Sequence, residues 1–209
     1  LSRGSFLSFL GFFYFMNPYE MLLDAGLITD RFIPPAERLD HVFPVEVATG
    51  CSYNKCLFCD GYKGVDADEL FDEEVMPQVE KTFNFLESSV DFDMTSLERI
   101  VFTGGNTLRL DYKRLSDMIQ YVAYEFNVRT QNIPRRIAMY ARVEDVMDKS
   151  EFELAYLNCG GTCFGQCSKN VFKSYEDGRL TDEKVGLDLL HVGLESGSDR
   201  VLNLLGKGH

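Results

Sequence analysis

Short apolar runs alternate with longer amphipathic stretches along most of this chain. Residues 43–49, 99–103, 136–140 and 187–194 read as strands, and 43–49 is apolar enough to be covered on both faces. Between them the apolar positions fall at helical spacing. Val75, Val79, Phe83 and Leu86 share one side of 66–86, and Leu115, Met118, Ile119 and Val122 share one side of 112–124. A third helix is predicted over 143–157 and a fourth from Ser198, with Val201, Leu202 and Leu205 inward. Pro77 is expected to bend the first of these helices. A further short helix is predicted over 17–29, with Asn17 as its cap, Pro18 at the first helical position and Tyr19, Leu22, Leu23 and Leu27 on one face. Pro34 and Pro35 stop it before the first strand. Alternating strands and helices imply parallel strands with right-handed crossovers, in an α/β fold that is either an open doubly wound sheet or a barrel. Periodicity does not choose between the two.

Composition narrows the class without naming a function. At 209 residues and 45% hydrophobic content, the chain can bury a sizeable core in one or two domains. Its net charge of -12 argues against non-specific binding to nucleic acid or to an anionic membrane. The six cysteines fall in two triplets, a distribution that fits metal chemistry in a reducing compartment better than a disulfide scaffold, so a cytoplasmic location is expected. Residues 1–15 carry one basic residue and then an apolar run like a signal-peptide core. They lack a small-residue cleavage site and are too short to span a bilayer, and the first methionine is Met16. A start at Met16 is the equal alternative. Residues 1–40 are expected to be an extension with a short helix, and 41–209 a core that is incomplete at its carboxyl end.

The chemistry concentrates directly after the first predicted strand, in Cys51-Ser-Tyr-Asn-Lys-Cys56-Leu-Phe-Cys59. Three soft thiolates on one short loop suit zinc or an iron–sulfur cluster. A structural zinc site is normally closed by four protein ligands, whereas a four-iron cluster held by three cysteines leaves one iron for a small molecule. Two more stretches stand after later strands: Phe102-Thr-Gly-Gly-Asn106, and Val192-Gly-Leu-Glu-Ser-Gly-Ser-Asp199.

Together these three stretches resemble the radical S-adenosylmethionine (SAM) enzymes over about residues 41–209. The family signature is matched by Cys51, Cys56, Phe58 and Cys59, with one residue more than usual in the first gap, since the family spacing is C-x3-C-x2-C and this chain has C-x4-C-x2-C. The resemblance implies a partial (βα)6 barrel, here truncated after about four strand–helix units, with its site at the carboxyl ends of the strands. It implies that Cys51, Cys56 and Cys59 ligate a [4Fe-4S] cluster whose fourth iron takes the methionine part of SAM. Reductive cleavage of SAM would then give a 5'-deoxyadenosyl radical that abstracts hydrogen from an unknown substrate. An electron donor such as flavodoxin or ferredoxin is the implied partner, with no membrane and no sign of nucleic acid.

The resemblance also implies a SAM-binding set of Phe58, Gly104, Gly105, Asn106, Arg142, Glu195 and Ser196. Phe58 would lie near the adenine, or else serve as a core aromatic beside the loop. Gly104 and Gly105 permit close backbone approach to a ligand. Asn106 stands where the family often has an acidic residue for the SAM ammonium, and it brings no charge. Glu195 and Ser196 would meet the ribose or methionyl end. Arg142, and Tyr140 beside it, would reach the same pocket, Arg142 toward a carboxylate or else into solvent at a helix start. No residue is assigned as catalytic. A second triplet, Cys159, Cys163 and Cys167, lies in an expected insertion over about 158–184 and reads either as an auxiliary iron–sulfur site or as reduced thiols. His41, His191 and His209 show no ligand spacing, and His191 reads as a core or strand-face residue. The alternative for the whole chain is a non-catalytic module binding zinc or a structural cluster.

Overall fold

A computed structural model describes residues 17–29, 41–90, 92–160 and 185–207. Residues 1–16, most of the expected insertion, and Cys163, Cys167 and His209 lie outside these. The strands are β1 (Val42–Glu46), β2 (Arg99–Thr103), β3 (Arg136–Ala141) and β4 (Leu189–Val192). The helices are α1 (Pro18–Asp24), α2 (Asp72–Ser88), α3 (Tyr112–Thr130), α4 (Val143–Asp148), α5 (Glu151–Asn158) and α6 (Asp199–Leu204).

All four strands are parallel and pair in the order β1-β2-β3-β4, with Ile100 between Phe43 and Ile137, and Ala138 beside Leu189. Among the described strands that order does not reverse, as it would in a doubly wound sheet. Strand alternation sorts the side chains onto two faces. Phe43, Val45, Ile100, Phe102, Ile137 and Met139 join one large core with α2, α3 and α5, while Val42, Val101, Ala138 and the partly buried Leu189 form a separate small cluster. The helices therefore line one face and small apolar residues the other, as in part of a barrel wall. Phe43 stacks on Phe83 of α2 with ring centroids 3.9 Å apart and planes 10° off parallel. Burying one such ring contributes roughly 1.5–3 kcal/mol. Among the described residues no helix is long and apolar enough to cross a membrane.

Several boundaries differ from those the sequence pattern suggests. The first strand stops at Glu46, because Ala48 pairs instead with Glu69 in an antiparallel bridge and Thr49 N donates to the Asp68 carbonyl at 2.8 Å. Residues 66–71 are thereby held extended, and α2 begins only at Asp72, where Phe71 N donates to the Glu74 carboxylate at 2.8 Å. Pro77 sits inside a continuous α2 on its exposed side, where water can take up the carbonyl that Pro leaves unbonded. Helix α3 runs past residue 124 because Phe126 is fully buried, and it ends where Gln131 adopts φ +59. The expected third helix is two helices: Ser150 caps α5, its Oγ accepting from Glu153 N at 3.2 Å while Glu153 accepts from Ser150 N at 2.8 Å. Ser150→Ala is expected to cost about 1 kcal/mol in urea denaturation. No loss at all would mean that packing alone breaks the helix there.

Candidate cofactor site

Each strand delivers its candidate residues at its carboxyl end. After β1, Gly50 turns the chain at φ +61 into the cysteine loop, in which Cys51, Cys56 and Cys59 are free thiols of intermediate exposure. The loop is anchored from four sides. Asn54, at φ +45, donates to the Tyr62 carbonyl at 2.6 Å, and Lys63 Nζ donates to the Cys56 carbonyl at 3.0 Å. From beyond α6, the Leu205 carbonyl accepts from Leu57 N and the Gly206 carbonyl from Tyr53 Oη, both at 2.8 Å. From the end of β3, the Arg142 guanidinium stacks 4.2 Å over the Tyr53 ring.

The fourth anchor is the segment after β2. A Cβ at Gly104 would collide with the Ala48 carbonyl oxygen, and one at Gly105 with the Gly50 carbonyl oxygen, at φ values of +111 and +67. The space beside both glycines is thus filled by the protein's own backbone. Gly105 N donates to Tyr62 Oη at 2.9 Å. The close approach that this pair permits is between two loops of the chain, and what it seats is the cysteine loop. Asn106, 2% exposed, continues the same junction: its Oδ1 accepts from Ser52 N at 3.2 Å and its Nδ2 donates to Ser52 Oγ at 2.8 Å.

Asn106 Nδ2 also lies 3.1 Å from both oxygens of Asp145. Asp145 is fixed by Arg142 N, which donates to it at 2.7 Å at the start of α4. A carboxylate therefore stands against the neutral Asn106, from a different strand end. The sequence reading missed Asp145. Its signal was local, an acidic residue three positions after the residue preceding a helix, and marks a helix start without revealing which loop that start faces.

Arg142 and Lys207 lie near Cys56, and Lys207 links Glu195 to the Phe58 ring. Phe58 is 48% exposed, which removes the core-aromatic reading and leaves its ring presented at the surface of the loop. The Arg142 side chain is 15% exposed and paired with Glu144 at 2.8 Å, so it is not a solvated helix-start arginine. Lys207, which the sequence reading did not single out, is 8% exposed, pairs with Glu195 at 2.5 Å and lies 5.8 Å from the Phe58 ring centroid. Ser196 serves its own turn, its Oγ accepting from Ser198 N at 3.1 Å. His191 sits on the strand face beside Tyr140, with ring centroids 6.0 Å apart.

Burial pushes the Cys56 thiol above its ordinary range; Lys207 and Arg142 oppose this, while the neighbouring Cys51 and Cys59 add to it. Among the described residues no three His, Cys, Asp or Glu side chains are gathered as the ligands of a single metal ion. A cuboidal cluster sets a different requirement, because each thiolate binds a separate iron. Three free thiols on one loop, with Lys207 and Arg142 acting on the central one, suit an anionic cluster of that kind. Of the second triplet only Cys159 is described. It is 3% exposed, at the end of α5.

No family model matches the chain, and no curated protein matches it. Two solved structures are similar to it, both of the cobalamin-dependent S-adenosylmethionine radical enzyme OxsB. One has aqua-cobalamin bound, with 19% identity and a TM-score of 0.42; the other has aqua-cobalamin and S-adenosylmethionine bound, with 18% identity and a TM-score of 0.44. In each case the match covers 79% of this chain and 20% of the other, so the chain spans about a fifth of the length of the structures it resembles.

Proposed function

We propose that this chain carries the cluster- and SAM-binding part of a radical SAM enzyme. The observation that supports it most directly is the loop after β1, which carries three free thiols, with Arg142 and Lys207 acting on that of Cys56. Cys51, Cys56 and Cys59 would each hold one iron of a [4Fe-4S] cluster. The chemistry supplied by that group when bound is one-electron cleavage of the SAM carbon–sulfur bond, giving a 5'-deoxyadenosyl radical for hydrogen abstraction.

The chain's own residues bind and orient. Asp145, held against Asn106, offers a carboxylate to the SAM ammonium, and Arg142 offers a guanidinium to its carboxylate. Phe58 presents a ring face to the adenine, while Glu195 and Ser196 stand at the end of β4 for the ribose or methionyl part. Gly104 and Gly105 act through the loop they seat. A low-potential one-electron protein of the flavodoxin or ferredoxin type is the matching reductant.

Anaerobic reconstitution with ferrous iron and sulfide should give a brown protein with about four irons per chain. Reduction by dithionite in the presence of SAM should release 5'-deoxyadenosine and methionine. Uptake of zinc in place of iron, with no SAM cleavage, would replace this reading with a structural metal module. Asp145→Asn should leave the iron content unchanged and weaken SAM binding by about tenfold, the value of one hydrogen bond to a charged group. Equal SAM affinity in that variant, by equilibrium dialysis, would remove Asp145 from the site.

A further inference from the structure

The three residues that follow α6 do more than close a turn. Leu205 and Gly206 bond the cysteine loop through their carbonyls, and this sets Lys207 beside it with its side chain only 7% exposed. Its Nζ meets Glu195 Oε2 at 2.5 Å, and the pair packs over the bare α-carbon of Gly193, where a Cβ would come within 2.9 Å of both Lys207 Nζ and Glu195 Oε1. Glu195 itself holds φ +53, a left-handed conformation that a non-glycine residue adopts at some cost. This is a built ion pair in a chain whose net charge is -12. The Lys207 side chain is 7% exposed and that of Glu195 27%, so the field of the ammonium, more than that of the carboxylate, is screened less by salt than a surface charge would be.

We infer that the Lys207–Glu195 pair sets the reduction potential of the centre held by Cys51, Cys56 and Cys59. The inference rests on the iron–sulfur reading above. A one-electron reduction adds one negative charge to the centre, with the electron coming from a low-potential donor. Lys207 favours that more negative state and raises the potential, and Glu195, bound to the same ammonium, moderates the effect. Both residues act on the centre through space. They are positioning residues with respect to its charge, and the sign of each effect follows from its own charge.

The test is potentiometric titration of the reconstituted protein, monitored by electron paramagnetic resonance without SAM. Lys207→Met should lower the midpoint by roughly three- to tenfold in the reduction equilibrium, tenfold being about 59 mV for one electron. Glu195→Gln should raise it, and Lys207→Arg should keep it near that of the unmodified protein. A purely structural pair would alter iron retention or stability in both variants without shifting the potential in opposite directions. Unchanged midpoints, or shifts of the same sign, overturn the inference while the iron–sulfur reading stands. If Lys207→Met cannot be loaded, Glu195→Gln decides: an upward shift supports the inference and any other result overturns it. An unmodified chain that takes up no iron at all would instead overturn the proposed function.

Discussion

Valine in place of Gly104 or Gly105 is expected to destabilise the chain by more than about 4 kcal/mol and to abolish iron uptake. At each position the added Cβ meets a backbone carbonyl oxygen, which cannot rotate away as a side chain can. The obstructing backbone is itself held: Val47 N bonds the Thr103 carbonyl at 3.1 Å and Thr49 N bonds the Asp68 carbonyl at 2.8 Å. Relief of the clash therefore requires the cysteine loop to lift off the end of β2. Gly26 and Gly64 provide the control, because both have positive φ and a Cβ added at either would meet nothing within 4 Å. Alanine there should cost only the left-handed backbone penalty of about 1 to 2 kcal/mol. Urea denaturation of the iron-free chain measures both. If Gly105→Val folds with an unchanged midpoint and loses only SAM affinity, the glycine faces the ligand and not the loop.

The second large effect should leave the fold intact. Single Ala substitutions at Cys51, Cys56 and Cys59 are each expected to remove all stable cluster iron and all SAM cleavage, while iron-free stability changes by less than about 1 kcal/mol. None of the three side chains belongs to either hydrophobic cluster, and the loop is fixed by its backbone and by Tyr53, Asn54 and Tyr62. A cluster with two remaining protein thiolates has lost a ligand that neither water nor a neighbouring carboxylate replaces well. Iron analysis after desalting, alongside circular dichroism, separates this from unfolding. Full iron retention in all three variants would show that the ligands lie elsewhere.

Much of the scaffold could be read from the sequence, and the reason is local. Residues 99–103 and 136–140 are apolar on both faces, so burial by helices on one side and neighbouring side chains on the other gives the observed β2 and β3 almost to the residue. The three thiols were legible because their chemistry depends on spacing along the chain. What was illegible depends on contacts between distant segments. The extended stretch 66–71 owes its shape to the bridge between Ala48 and Glu69, which no helical periodicity could reveal. The break before α5 was written in Ser150 and Glu153 and was overlooked because the apolar spacing runs across it. Gly104 and Gly105 look like a ligand cradle until the first loop is seen to fill it. Asp145 and Lys207 have ordinary local surroundings and reach the site only because α4 and the residues after α6 pack against the cysteine loop.

The order of the strands bears on how the site comes into being. Each strand pairs with its neighbour in sequence, so the sheet can assemble as the chain is synthesised, one strand and helix at a time. The cysteine loop is made early but completed late. Its Tyr53 anchor bonds a carbonyl 153 residues further on. Until α6 has emerged and docked, the loop lacks the contacts at Leu57 and Tyr53 that fix its course, and the thiols wait on an unfinished support. On the proposed iron–sulfur reading, maturation would be paced by closure of this long-range contact, since iron delivered to the growing chain before that point would meet thiols not yet held in place.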